Sequence, residues 1–381
     1  MKEFLMKFNR FLDPIVDADR KLTSLIQIAQ PEILMRRRNF TSLAGAGLIG
    51  MWSGRAASAD LLISDTHSHY MLRPQDQACL KCELGDARVS LVSWALGSDG
   101  PFIQRLPNGA MQVNLKATPE QYREVYTRMI RGMSARIRRE NLRLAKTSAD
   151  VDLALAGELH LVLSTEGAHF LGGELAYLDT VYAQGVRQIG LGHFVEGDLL
   201  DIRTEMPKLG GLSAFGAEVI RRCNALGILV DLAHATDQAV AQALAVSSQP
   251  MLWSHSNITR FASNWRSGGN QIMSISLDNA KVLASKGGVV GVWPSRFNFD
   301  NPNAYVEGLQ AAIDFVGADH VAFGSDMQGL SPSATMMDNY SGLRGIVNLM
   351  LSKNMPEVVV RKVASENYAR LLKAVFDGRV G

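Results

Sequence analysis

From Leu61 onward, short β-branched apolar runs that end in polar residues recur along the chain, and a stretch with helical spacing follows each. Eight such runs are present, at 61–67, 89–96, 160–165, 186–193, 227–234, 250–255, 287–294 and 320–326. Most are almost continuously apolar, which is the pattern of parallel strands buried on both faces. The intervals predict helices over 120–146, 213–226, 237–246, 277–286, 304–316, 342–352 and 356–375. In the second of these, Phe215, Val219, Ile220 and Leu226 keep helical spacing and Gly227 supplies a stop. Alternating strands and helices define an α/β fold, and eight such units predict a (β/α)8 TIM barrel, with an open doubly wound sheet as the competing arrangement. No internal repeat or low-complexity linker divides residues 60–381, so a single barrel domain is the simplest parse.

Composition narrows the class. With 381 residues and 47% apolar content the chain is globular, and 39 Lys+Arg against 37 Asp+Glu leaves no basic footprint for nucleic acid. Residues 1–59 are different in kind. Arg36-Arg37-Arg38-Asn39-Phe40 precedes an uncharged run from Thr41 to Gly54 and then Ala57-Ser58-Ala59, which predicts a twin-arginine-type signal peptide cleaved after Ala59. The run is too short to span the roughly 30 Å of bilayer hydrocarbon, so a membrane anchor is not expected. Met35 directly before the arginines is a natural start, with residues 1–34 an extension outside the signal. These features predict a periplasmic or secreted protein that uses the twin-arginine export machinery. Cys79 and Cys82 form a C-x-x-C, compatible with a local disulfide or with free thiols.

The reactive side chains fall where a barrel of this kind keeps its chemistry, at the C-terminal ends of the strands. The first run ends in Asp65-Thr66-His67-Ser68-His69, and two histidines two apart on an extended chain point to the same face. The third run ends in Ser164-Thr165-Glu166, a carboxylate able to bridge two ions. Of the eight histidines, His67, His69, His193, His234 and His255 all sit at predicted strand ends. One such histidine is ordinarily structural, but five with a glutamate on one face would be a costly set of buried polar groups unless they bind something. Imidazole and carboxylate ligands suit zinc, with manganese, cobalt or iron as other divalent candidates.

A further set of motifs covers nearly the whole predicted mature chain: Gly211-Leu212-Ser213-Ala214-Phe215-Gly216, Asn224-Ala225-Leu226-Gly227, Val230-Asp231-Leu232-Ala233-His234 and Pro250-Met251-Leu252-Trp253-Ser254-His255-Ser256. Thr165-Glu166-Gly167, Gly192-His193 and Gly324-Ser325-Asp326 occur in matching order. In these the chain resembles the membrane (renal-type) dipeptidases, peptidase family M19 of the amidohydrolase superfamily. The resemblance implies a zinc-dependent dipeptidase with two ions, one held by His67, position 69 and Glu166, the other by Glu166, His234 and His255. It implies that His193 polarises the scissile carbonyl and steadies its oxyanion, that Asp326 handles the proton and that Arg266 grips the substrate carboxylate. Two ions sharing a bridging hydroxide would supply a nucleophile near neutral pH, and an arginine fork suits a carboxylate. The family often forms homodimers.

Two positions depart from the family pattern. His69 stands where the family normally has aspartate, leaving the cluster one unit more positive, and Gln328 stands where the family usually has a second aspartate two residues past Asp326. H-x-H favours another amidohydrolase reaction, such as opening a lactone or a non-peptide amide. The two departures together motivate a non-catalytic periplasmic binding or maturation protein on the same barrel. The chain ends without a hydrophobic tail, so no lipid anchor is expected.

Overall fold

The structure, a computed structural model, describes residues 61–72, 78–105, 111–113, 117–258 and 273–378. The predicted signal segment, the suggested start at Met35 and the candidate Arg266 lie outside the described residues. Eight strands form the predicted barrel: β1 Ile63–Ser68, β2 Val89–Gly97, β3 His160–Glu166, β4 Val186–Gly190, β5 Leu229–Asp231, β6 Leu252–Trp253, β7 Val289–Val292 and β8 Val321–Phe323. Each pairs in parallel with the next. Closure is made by the end of β1 and the segment after β8. Asp326 N donates to His67 O at 3.0 Å, and His69 N donates to Met327 O at 2.9 Å. The seam of the barrel is thus sewn by residues that the sequence marks as chemical.

Every predicted strand is present, and each observed strand ends no more than one residue past its predicted limit. β4, β5 and β6 stop short of His193, His234 and His255, which therefore sit on the loops that leave the barrel. His234 has φ 71°, a left-handed turn that aims its ring back over the mouth.

Five of the helices begin where a side chain satisfies a free N–H group. Ser213, Thr236, Ser276, Asn301 and Asn339 each accept from a backbone N–H in the first turn of the helix that follows. One expectation is corrected. The stretch 120–146 is not one helix: Pro119–Glu140 ends at Asn141, whose φ is 49°, and Arg143–Leu144 then pairs with β3. Charged residues hide this break because an asparagine makes the left-handed cap that a glycine usually signals. Thr147 then opens a short helix, Ser148–Leu155, through a reciprocal capping box with Asp150.

The barrel has an apolar end and a polar end. Leu91, Val162, Leu229, Leu252, Val289 and Ala322, one from each of six strands, form one buried cluster with Tyr368, Leu372, Val375 and Phe376 of the C-terminal helix. That helix, Asn367–Asp377, stoppers the barrel at the end away from the histidines. Above it, Tyr368 Oη donates to Gln188 Oε1 at 2.7 Å, and Gln188 Nε2 donates to Thr66 O at 3.0 Å. Tyr368, Gln188 and the Thr66 carbonyl are therefore paired to one another rather than left bare.

Candidate metal centre

Glu166, the last residue of β3, lies at the middle of the mouth and is 5% exposed. Five imidazoles approach its carboxylate: His234 Nε2 at 2.9 Å, His255 Nε2 at 3.3 Å and His67 Nε2 at 3.5 Å from Oε1, with His193 Nε2 at 3.0 Å and His69 Nε2 at 3.1 Å from Oε2. The structure thus brings together all five histidines singled out in the sequence and the glutamate expected among them. Asp326 joins the edge, its Oδ1 3.6 Å from His69 Nε2. Arg266, the remaining expected residue, is outside the described residues.

The His69 and His255 rings are oriented from behind. His69 Nδ1 is 2.9 Å from Ala95 O, and His255 Nδ1 is 2.8 Å from Ser254 Oγ. Such outer partners leave Nε2 as the atom presented to the centre.

Electrostatics reflect crowding in a dry place. Burial would raise the Glu166 carboxyl, but His193, His67 and its other imidazole neighbours hold it well below the usual range. Burial pulls His234 down to about 4 despite the nearby Glu166 carboxylate, so its ring is neutral at pH 7. Burial also works against protonated His193, yet the Asp99 and Glu166 carboxylates outweigh it and push that ring up to about 9. Asp326 is raised, chiefly by burial.

The donor set fits metal ions better than a network of hydrogen bonds. His67 Nε2 and His69 Nε2 face each other at 3.2 Å, and His234 Nε2 and His255 Nε2 at 3.1 Å. Two facing imidazole nitrogens share at most one proton, whereas a divalent cation beside them takes a lone pair from each. Within the described residues, His67, His69 and Glu166 form one compact group of candidate ligand atoms, and Glu166, His193 and His234 another. A third group, His67, Asp231 and His255, includes a residue that the sequence reading did not single out. Asp231 accepts from Ala233 N and Ser254 N, both at 3.0 Å, and so braces the loops that carry His234 and His255.

Asp99 was also missed. It is fully buried two residues past β2, with Oδ1 2.6 Å from His193 Nδ1. Its position at a strand end was the available signal, but Gly97-Ser98-Asp99-Gly100 reads equally well as a simple turn. Gln328 accepts from Met71 N at 2.8 Å and ties the loop after β1 to the loop after β8. Cys79 and Cys82 are joined as a disulfide, which resolves the two sequence alternatives for the C-x-x-C.

Comparison with known proteins agrees with this geometry. The family model for membrane dipeptidases, peptidase family M19, matches residues 102–379. That span contains Glu166, His193, His234, His255 and Asp326, while His67, His69 and Asp99 lie before it. The chain is 27% identical over 227 residues to dipeptidase tcpJ of Claviceps purpurea, covering 58% of this chain and 52% of the relative. It is 26% identical over 274 residues to dipeptidase verJ of Clonostachys rogersoniana, covering 70% and 67% respectively. The matched stretch thus spans about half the length of the first relative and about two thirds of the second. A metallo peptidase from Rhodobacter sphaeroides, solved with a phosphinate mimic of the dipeptide L-Ala-D-Ala, shares the fold with a TM-score of 0.69 at 19% identity, over 83% of this chain and 99% of that one.

Proposed function

Because the chain belongs to the membrane dipeptidase family, peptidase family M19, we propose that it hydrolyses dipeptides or dipeptide-like small amides with two zinc ions held at the barrel mouth. The observation that carries this reading is the convergence of five imidazoles on the Glu166 carboxylate. His67, His69 and Glu166 would hold one ion; Glu166, His234 and His255 would hold the other. When bound, the pair would make a water more acidic and offset the negative charge that develops on the attacked amide. The two dipeptidase relatives and the dipeptide mimic bound to the Rhodobacter sphaeroides enzyme support the substrate class.

The protein's own side chains do the rest. His193 presents Nε2 beside Glu166, where it polarises the scissile carbonyl and steadies the oxyanion. Asp326 is buried and raised, so it takes a proton from the attacking water and returns it to the leaving amine. Phe194, whose ring centroid is 4.6 Å from that of His193, adds an apolar wall beside the reacting bond. Arg266 grips the substrate carboxylate.

Export through the twin-arginine pathway belongs to the same reading. It is supported by the arginine run before a short apolar stretch and by the Cys79–Cys82 disulfide, a bond suited to an oxidising compartment. Among the described residues no helix is long and apolar enough to cross a membrane.

The test is hydrolysis of a panel of L,L and L,D dipeptides by the full chain, stripped of metal and then reloaded with zinc. Turnover that appears only after reloading supports the reading. Silence with both ions measured in place moves the function to a lactone, another amide or a binding role.

A further inference from the structure

Asp99 has no part in the roles above, yet it makes three hydrogen bonds to three consecutive residues. Oδ1 lies 2.6 Å from His193 Nδ1, and Oδ2 accepts from Phe194 N at 3.3 Å and Val195 N at 3.2 Å. We propose that Asp99 is the positioning residue for His193, fixing the plane of its ring and keeping Nδ1 as a donor so that Nε2 is the atom that meets the substrate carbonyl. This inference rests on the hydrolytic reading of the same site.

The argument is geometric. A histidine ring without a partner turns about two side-chain bonds and carries its proton on either nitrogen. Here Nε2 faces Glu166 at 3.0 Å, so orientation is decided at Nδ1, and the group there is a carboxylate able only to accept when ionised. Asp99 is itself immobile, because two backbone N–H groups of the His193 loop hold its second oxygen and the side chain has no exposed surface. One carboxylate therefore locks both the ring and the backbone that bears it. The end of β2 leaves room for this arrangement. A Cβ at Gly97 would sit 3.7 Å from Asp99 Oδ1 and 3.9 Å from both His193 Cε1 and Glu166 Oε2, so a larger side chain would press on all three groups.

The same geometry predicts what asparagine does. The N–H groups of Phe194 and Val195 require an acceptor, so the amide of Asp99→Asn turns its oxygen to them and its NH2 toward His193. Nδ1 then has to accept, so the ring gives up the proton that Asp99 holds and keeps only the one on Nε2.

The experiment compares the full-length, zinc-loaded protein with Asp99→Asn, Asp99→Glu and His193→Gln, using steady-state kinetics on a hydrolysed dipeptide and the low-field proton spectrum. The wild type shows a low-field imidazole proton that disappears in both Asp99→Asn and His193→Gln. Asp99→Asn lowers kcat about 10- to 100-fold, as loss of an orienting partner does, while KM stays within a few-fold. Asp99→Glu keeps the carboxylate, retains the low-field proton and recovers part of kcat. An unchanged kcat in Asp99→Asn, a defect confined to KM, or a low-field proton that survives Asp99→Asn overturns the proposal. If the wild type hydrolyses no dipeptide, the functional reading falls, and the low-field proton alone decides whether Asp99 holds His193. If Asp99→Asn does not fold, the wild type, Asp99→Glu and His193→Gln still decide.

Discussion

His69 Nδ1 lies 2.9 Å from the carbonyl oxygen of Ala95, the residue of β2 that pairs with Ser164 of β3. A carbonyl only accepts, so the ring carries a proton on Nδ1, and Nε2 is the atom turned toward Glu166 and Asp326. That orientation suits the role of ligand proposed for His69. His69→Ala should leave one ion bound in place of two, measured as metal content after dialysis. Its kcat should fall by more than the roughly 10- to 100-fold typical of an outer-shell partner. Full metal content in His69→Ala would remove His69 from the ligand set.

Glu166 accepts the approach of all five rings, so it is the residue whose loss reaches farthest. Ligand binding to the folded state raises stability in proportion to the logarithm of free ligand over Kd, by about 2.7 kcal/mol at a hundredfold excess over Kd. Zinc should therefore raise the melting temperature of the metal-stripped wild type. Glu166→Gln should abolish most of that increase and all measurable turnover, because a neutral amide offers one weak oxygen in place of a bridging carboxylate. Equal zinc stabilisation of both proteins would show that the cluster is not the metal site.

Much of this was legible in the chain because a buried parallel barrel leaves a strong imprint. Eight continuous apolar runs mark the strands, and polar residues accumulate where each run ends. The five histidines and Glu166 were found by that rule. Asp99 was not, since a lone aspartate between Ser98 and Gly100 carries no pattern, and only the folded chain brings it to His193, 94 residues away. The short helices Leu80–Asp86, Ser148–Leu155 and Tyr177–Ala183 also escaped notice. Seven or eight residues give barely two turns, too few for an apolar period to stand out, and their stability comes from caps and packing.

Cys223 is fully buried in the helix Ala214–Leu226, and burial pushes its thiol up to about 12. Only the thiolate reacts with alkylating reagents. The folded protein at pH 8 should therefore take up no iodoacetamide, since its other two cysteines are joined as a disulfide. Denaturation without reductant should expose one thiol and denaturation with reductant three, counted by mass. The same shift sets a pH dependence. Above the unfolded thiol's pKa, near 9, the unfolded chain loses a proton that the folded chain keeps, so stability falls as pH rises from about 9 toward 12. The slope from this one group approaches 1.4 kcal/mol per pH unit. Comparison with Cys223→Ala isolates it: the stability difference between the two proteins should drift with pH above 9 and stay flat below 8.

Gly291 of β7 and Gly324 after β8 both pack against the carbonyl of Ser254, the residue that precedes His255. Thr66 Oγ1 lies 2.5 Å from that same carbonyl and 2.9 Å from Phe323 O and shares its one proton between them, so β1, β6 and β8 meet at one point just below the histidine cluster. A Cβ on Gly291 would overlap both Ser254 O and Thr66 Oγ1, and neither is the free end of a flexible chain. Gly291→Ala must then push the end of β6 outward or break the Thr66 hydrogen bonds. Overpacking of this kind costs about 1–3 kcal/mol, measurable as a lower denaturant midpoint. Because the displaced carbonyl is joined directly to His255, the variant should also bind zinc more weakly, and added zinc should recover only part of its stability. A lower midpoint with undiminished zinc affinity would mean that the strand end and the His255 ring move independently, which the single peptide link between Ser254 and His255 argues against.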